Sequence, residues 1–127
     1  MAIETAQVVV NGLGGGGSVV APEFVHLGFQ DLRLFDPGRA DESNLNRTMT
    51  LVESDIAAGT FKVDAARRRI LEINPLAKVE THACRWQDYP NPDYSREIKT
   101  KVTTYLTHTP LMYRMRVWKI TPLSLRR

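Results

Sequence analysis

One cysteine, Cys84, stands in a chain of 127 residues. An internal disulfide is therefore excluded, and so is a zinc site built on paired Cys-x-x-Cys ligands. No apolar run reaches the roughly 18 residues that a membrane-crossing helix needs. The opening stretch, "MAIETAQ", lacks the basic and apolar regions of a signal peptide. The expectation is a cytoplasmic protein in a reducing compartment, with no membrane partner. His26, His82 and His108 lie far apart and show no ligand spacing, so no protein-held metal is predicted from them. Acidic residues are scarce at one end only. Residues 96–127 hold eight Lys/Arg and one Asp/Glu, while residues 1–95 hold nine and thirteen. A break this sharp marks the last quarter as different in origin or role.

What is present is an ordinary globular composition, 43% hydrophobic and 24% charged, of about single-domain length. Gln7 to Asn11 is a continuous β-branched strand of the kind buried on both faces. Five of the next six residues, Gly12 to Gly17, are glycine. Ser18 to Leu27 reads as a helix, with Pro22 forcing either a kink or a late start. Phe29 to Asp36 alternates as a second strand. A loop follows, with a helical turn near Ser54 to Ala58. Phe61 to Asn74 is the best-patterned helix, because Val63, Ala66, Ile70 and Ile73 recur at helical spacing. Its three arginines, Arg67 to Arg69, are expected to face solvent. Lys78 to Cys84 reads as a third strand, with Cys84 buried in it rather than acting as a thioester-forming nucleophile. The order β-α-β-α-β implies a right-handed parallel sheet with helices on both faces, a Rossmann-like α/β fold.

The unit is expected to span residues 1–90. Residues 91–127 form an atypical basic segment. Within it "KTKVTTYL" and "LMYRMRVWKI" alternate with period two and suggest a β-hairpin. The tail carries aromatic residues among its basic ones but no nucleic-acid-binding motif, so nucleic acid is not among the expected partners.

"GGGGS" alone would suit a flexible tether, but its flanks are a valine strand and an apolar-striped segment. The spacing Gly12, Gly14, Gly17 is Gly-x-Gly-x-x-Gly. In a strand-turn-helix unit Gly12 makes the tight turn, and Gly14 admits a phosphate to the backbone. Gly17 lets the helix pack close to the strand. The helix N-terminus offers unpaired N–H groups to an anion. Asp36, nineteen residues after Gly17, lies where an acid accepts hydrogen bonds from ribose hydroxyls. No lysine occurs in the loop, so it is not a Gly-Lys-Ser/Thr phosphate loop. These features alone leave three readings open. One is a nucleotide-binding enzyme, one an NAD(P)-binding dehydrogenase-type domain, and one a non-catalytic interaction module that kept the fold.

Five stretches in order, "GLGGGGS", "LRLFD", "SNLNR", "FKVDAARRRILEINP" and "KVET", resemble the pattern of the ThiF/MoeB/HesA family, the bacterial relatives of ubiquitin-activating enzymes. The resemblance covers about residues 6 to 85, and "SNLNR" is its most specific part. It implies an ATP site and adenylation of the C-terminal carboxylate of a ubiquitin-like or sulfur-carrier protein, with release of pyrophosphate. By matched position, Asp36 would hold the ribose. Asn44 and Arg47 would face the phosphates, Lys62 would reach the α-phosphate or the leaving pyrophosphate, and Gly14, Gly15, Gly16 and Gly17 would line the nucleotide. Arg47 and Lys62 are the candidate catalytic residues. Mg²⁺ accompanies ATP in the family. The chain departs from the pattern at Thr48, where the family has Gln, and at Gly38, where a second acid is common. The later Asp that holds Mg²⁺ finds no match beyond Cys84. The reading is an incomplete ThiF-type domain. An incomplete sheet leaves apolar surface to cover, so a homo-oligomer is expected.

Overall fold

Val8, Val9 and Val10 favour extended backbone because their branched Cβ atoms crowd a helix and fit a pleated surface. They form the centre of strand β1, Gln7–Asn11. The computed structural model describes residues 6–90 and the backbone of residues 118–121. After β1 come α1 (Gly17–His26), β2 (Asp31–Phe35), α2 (Glu53–Ala58), α3 (Lys62–Ile73), β3 (Lys78–His82) and β4 (Trp118–Thr121). The sheet order is β3-β2-β1-β4. The first three strands are parallel, with Val8 opposite Leu32, Val10 opposite Leu34, and Leu34 opposite Thr81. β4 runs antiparallel along the other side of β1, with Val10 opposite Trp118.

Strand alternation puts Val8, Val10, Leu32 and Leu34 on one face. There they meet Ala21 and Val25 of α1 and Val63, Ala66 and Ile70 of α3 in one buried cluster. Burying each larger side chain stabilises the fold by about 1.5–3 kcal/mol. Both long helices therefore lie on the same side of the sheet, and the described residues place no helical layer of that kind on the other. The cause is topological. The chain steps from β1 to β2 to β3 in one direction, and right-handed crossovers in one direction stack their helices on one face. A crossover in the opposite direction would be needed to cover the second face. On that face Val9 and Phe35 pack instead against Cys84, Trp86 and Tyr89.

Element boundaries move by one or two residues from expectation. α1 begins at Gly17 and runs through Pro22, so it does not start late. β3 ends at His82, which leaves Cys84 just past the strand and half-buried rather than inside it. Arg67, Arg68 and Arg69 are exposed, yet Arg68 is ion-paired with Asp55 and Arg69 with Glu72. The proposed hairpin lies outside the described residues except for its last part. That part pairs with β1.

Candidate functional site

The glycine turn forms because Gly12 takes φ = 88°, a left-handed value that costs a residue with Cβ. There its N–H donates to the Phe35 carbonyl at 2.7 Å and ties the end of β1 to the end of β2. Asp36, 5% exposed, closes the same junction. Its Oδ2 accepts from the Leu13 N–H at 2.7 Å, and its Oδ1 accepts from the Gly38 N–H at 2.7 Å. The Gly14 carbonyl accepts from Ser18 and the Gly16 carbonyl from Val20, which starts α1. Among the described residues, the N–H groups of Gly14, Gly15 and Gly16 find no protein acceptor. Gly17 is buried, as expected of the glycine that lets α1 approach β1.

The "SNLNR" segment folds as a 3₁₀ turn, Glu42–Asn44, capped by Asp41, whose Oδ1 accepts from the Ser43 N–H at 2.9 Å and from the Ser43 hydroxyl at 2.6 Å. Those two bonds hold the Asp41 carboxyl below the usual carboxylate range. The turn directs Asn44 and Arg47 to one place. Arg47 Nη2 donates to Asn44 Oδ1 at 3.4 Å, and Lys62 Nζ donates to the same oxygen at 3.4 Å. Neither cation is in an ion pair among the described residues. The Arg47 backbone also lies against the glycine turn. A Cβ on Gly15 would sit 3.6 Å from the Arg47 carbonyl oxygen.

Beside this cluster a cleft of about 440 Å³ opens, lined in part by Asn11, Gly12, Asp36, Lys62, Arg85 and Trp86. It stands at the carboxyl ends of β1 and β2, where open parallel sheets bind ligands. The structure thus brings Gly12, Asp36 and Lys62 to the cleft and Gly15, Asn44, Arg47 and Lys62 to its neighbour. Asp36 departs from the simplest expectation. Both its oxygens already serve the backbone, because the Leu13 N–H is buried and must be satisfied. Thr48 is buried and does not line the cleft.

Sequence reasoning missed Ser18, Arg85 and Trp86. Ser18 closes the "GGGGS" run and was readable as part of the motif. Its hydroxyl accepts from the Met49 N–H at 2.9 Å. Trp86 lies a few residues past the carboxyl end of a parallel strand, a position that could have marked it. As for a magnesium ion, Asp36 is the one carboxylate lining the cleft, and no group of three His, Cys, Asp or Glu that could hold a metal occurs among the described residues.

A parallel sheet, a glycine turn after its first strand and a cleft above both define a Rossmann-like α/β domain. More narrowly, the chain belongs to the ThiF family, whose model matches residues 1–105. The match runs beyond the motifs that carry the resemblance. The chain is 40% identical over 80 residues to ubiquitin-like modifier-activating enzyme 5 of Drosophila willistoni, a stretch covering 63% of this chain and 19% of that protein. It is 39% identical over 80 residues to the same enzyme of Caenorhabditis elegans, covering 63% of this chain and 18% of the relative. The chain thus spans about a fifth of the length of these curated relatives. The structure of E. coli MccB with ATP superposes with a TM-score of 0.62 at 29% identity, covering 68% of this chain and 25% of MccB. PaaA superposes with a TM-score of 0.65 at 25% identity, covering 82% of this chain and 36% of PaaA.

Proposed function

We propose that this chain binds ATP and supplies the phosphate-facing part of an adenylating site. The observation that carries the reading is the pair of cations, Arg47 and Lys62, meeting at Asn44 Oδ1 with no ion pair among the described residues, beside a glycine turn whose N–H groups at Gly14, Gly15 and Gly16 find no acceptor there. Such a group suits a polyanion. The ThiF family match and the MccB structure with ATP support ATP as that polyanion. The nucleoside occupies the cleft, and Asp36, whose carboxylate keeps lone pairs beyond its two backbone bonds, holds the ribose. The phosphates run along Gly14–Gly17 toward Arg47 and Lys62. The acceptor is the C-terminal carboxylate of a ubiquitin-like or sulfur-carrier protein. The relatives named as ubiquitin-like modifier-activating enzymes favour the first.

In the step, a carboxylate oxygen attacks the α-phosphorus. A carbon-oxygen-phosphorus linkage forms, and the bond from the α-phosphorus to the bridging oxygen breaks. Pyrophosphate leaves with that electron pair. No proton need move, so the protein contributes positive charge and orientation rather than an acid or base. Lys62 and Arg47 face the charge that grows on the leaving oxygens.

Thermal unfolding with ATP–Mg²⁺ and with NAD, for wild type and Arg47→Ala, tests the reading. At a ligand concentration one hundred times Kd, ATP stabilises wild type by about 2.7 kcal/mol. Arg47→Ala loses most of that gain. A larger shift with NAD would return the dehydrogenase-type reading, and no shift with either nucleotide would leave an interaction module. ATP–pyrophosphate exchange that depends on a carrier protein tests the reaction itself.

A further inference from the structure

Arg47 stands on residues 45–52, a stretch between the 3₁₀ turn and α2 that belongs to no helix or strand. Such a segment needs outside anchors to hold a side chain in one place. Two are present. The first is Ser18, wholly buried in the first turn of α1, whose Oγ accepts from the Met49 N–H at 2.9 Å. This bond couples the arginine loop to the helix that begins at the glycine turn. The second is Arg68 of α3, whose Nη2 donates to the Thr50 carbonyl at 3.2 Å. Arg68 is itself fixed by a two-pronged pair with Asp55, at 2.7 and 2.8 Å. Asp55 is 3% exposed, and its Oδ2 also accepts from the Val52 N–H at 2.9 Å. Backbone groups of Met49, Thr50 and Val52 are therefore each held by a buried or ion-paired side chain.

We propose that Ser18 and Arg68 are positioning residues for Arg47, holding its backbone against the glycine turn so that its guanidinium meets the phosphates of a bound nucleotide. The proposal rests on the reading that Arg47 faces those phosphates. It makes α3 a shared support, since Lys62 is its first residue and Arg68 lies further along the same helix. One rigid element then fixes both cations, Lys62 directly and Arg47 through the Thr50 carbonyl. The planar fork of arginine is essential to this arrangement. It reaches two oxygens of Asp55 and a third on Thr50 at once, whereas the single ammonium of lysine replaces the ion pair but not the full set.

Calorimetric titration of the full chain with ATP–Mg²⁺ and with adenosine separates this role from a merely structural one. The set is wild type, Arg47→Ala, Arg68→Lys, Ser18→Ala, and each anchor variant combined with Arg47→Ala. Each anchor variant alone should weaken ATP about tenfold and leave adenosine unchanged. Added to Arg47→Ala, each should weaken ATP by less than about twofold, because the group being positioned is gone. A full further loss in the Arg47→Ala background overturns the proposal while Arg47 keeps its own role. So does an anchor variant that binds ATP like wild type. If Arg47→Ala itself binds ATP like wild type, the underlying reading fails and this proposal with it. Should Arg68→Lys not fold, Ser18→Ala carries the same cycle.

Discussion

Asp36 Oδ2 accepts a hydrogen bond from the Leu13 N–H at 2.7 Å, joining the end of β2 to the inside of the glycine turn. The residue expected to serve a ligand thus also serves the fold. Asp36→Ala strands the buried Leu13 N–H and removes the bond to Gly38. It should cost about 2–4 kcal/mol in urea unfolding without nucleotide. Asp36→Asn keeps one acceptor oxygen and should lose about half as much. An Asp36→Ala protein with an unchanged midpoint would show the carboxylate to be a ligand group only.

Gly38 bears on Lys62. A Cβ at this position would lie 2.9 Å from Asp36 Oδ1 and 3.3 and 3.4 Å from Lys62 Cδ and Cε. The contact with Asp36 is the tightest and strains its bond to the Gly38 N–H, and the flexible lysine stem gives way as well. Gly38→Ala should therefore push Lys62 off Asn44 and weaken ATP binding about fivefold or more, with a stability loss of about 1 kcal/mol. Titration and thermal unfolding of the same variant read the two effects separately.

The Asp55–Arg68 pair makes a prediction about acid. The Arg68 guanidinium, bonded to Asp55, holds that carboxyl below its usual value in spite of burial. A depressed folded pKa stabilises the protein above the unfolded value of about 3.8, and that contribution disappears as pH falls through the folded pKa. Asp55→Asn should cost about 1–3 kcal/mol near neutral pH, moderated because Arg68 is half-exposed. Below pH 4 or so the variant should lose less stability than wild type on further acidification. Urea midpoints across the acid range decide it. Parallel curves for the two proteins would refute the linkage.

Pro22 sits inside α1, where it removes the N–H that would bond the Ser18 carbonyl. Pro22→Ala restores that bond at the cost of a looser unfolded chain. The net gain should be about 1–2 kcal/mol, read from the thermal midpoint.

Much of this architecture was legible in the chain. Val8 to Val10 announced a strand, and the spacing Val63, Ala66, Ile70 announced the face of α3 that reaches the core. Gly12, Asp36, Asn44, Arg47 and Lys62 were each placed by motif, and the structure gathers them around one end of the sheet. Pairings between distant side chains were not legible. Nothing in "RRR" tells which arginine turns back to Asp55, because the choice depends on where α2 comes to rest against α3. Which face each long helix covers was not legible, because the continuous valine run shows that β1 is buried on two faces but not what lies on each. The direction of the crossovers, visible only once the strand order is known, settles it.

β4 runs antiparallel along the outer side of β1, through four residue pairs from Gln7–Thr121 to Val10–Trp118. In a doubly wound sheet of order 3-2-1-4 that berth belongs to the strand that begins the second half. The valine strand has now given away its backbone donors and acceptors on both flanks. Any other segment seeking to extend the sheet there must first evict Trp118–Thr121, so β4 and a further parallel strand are rivals for one seat.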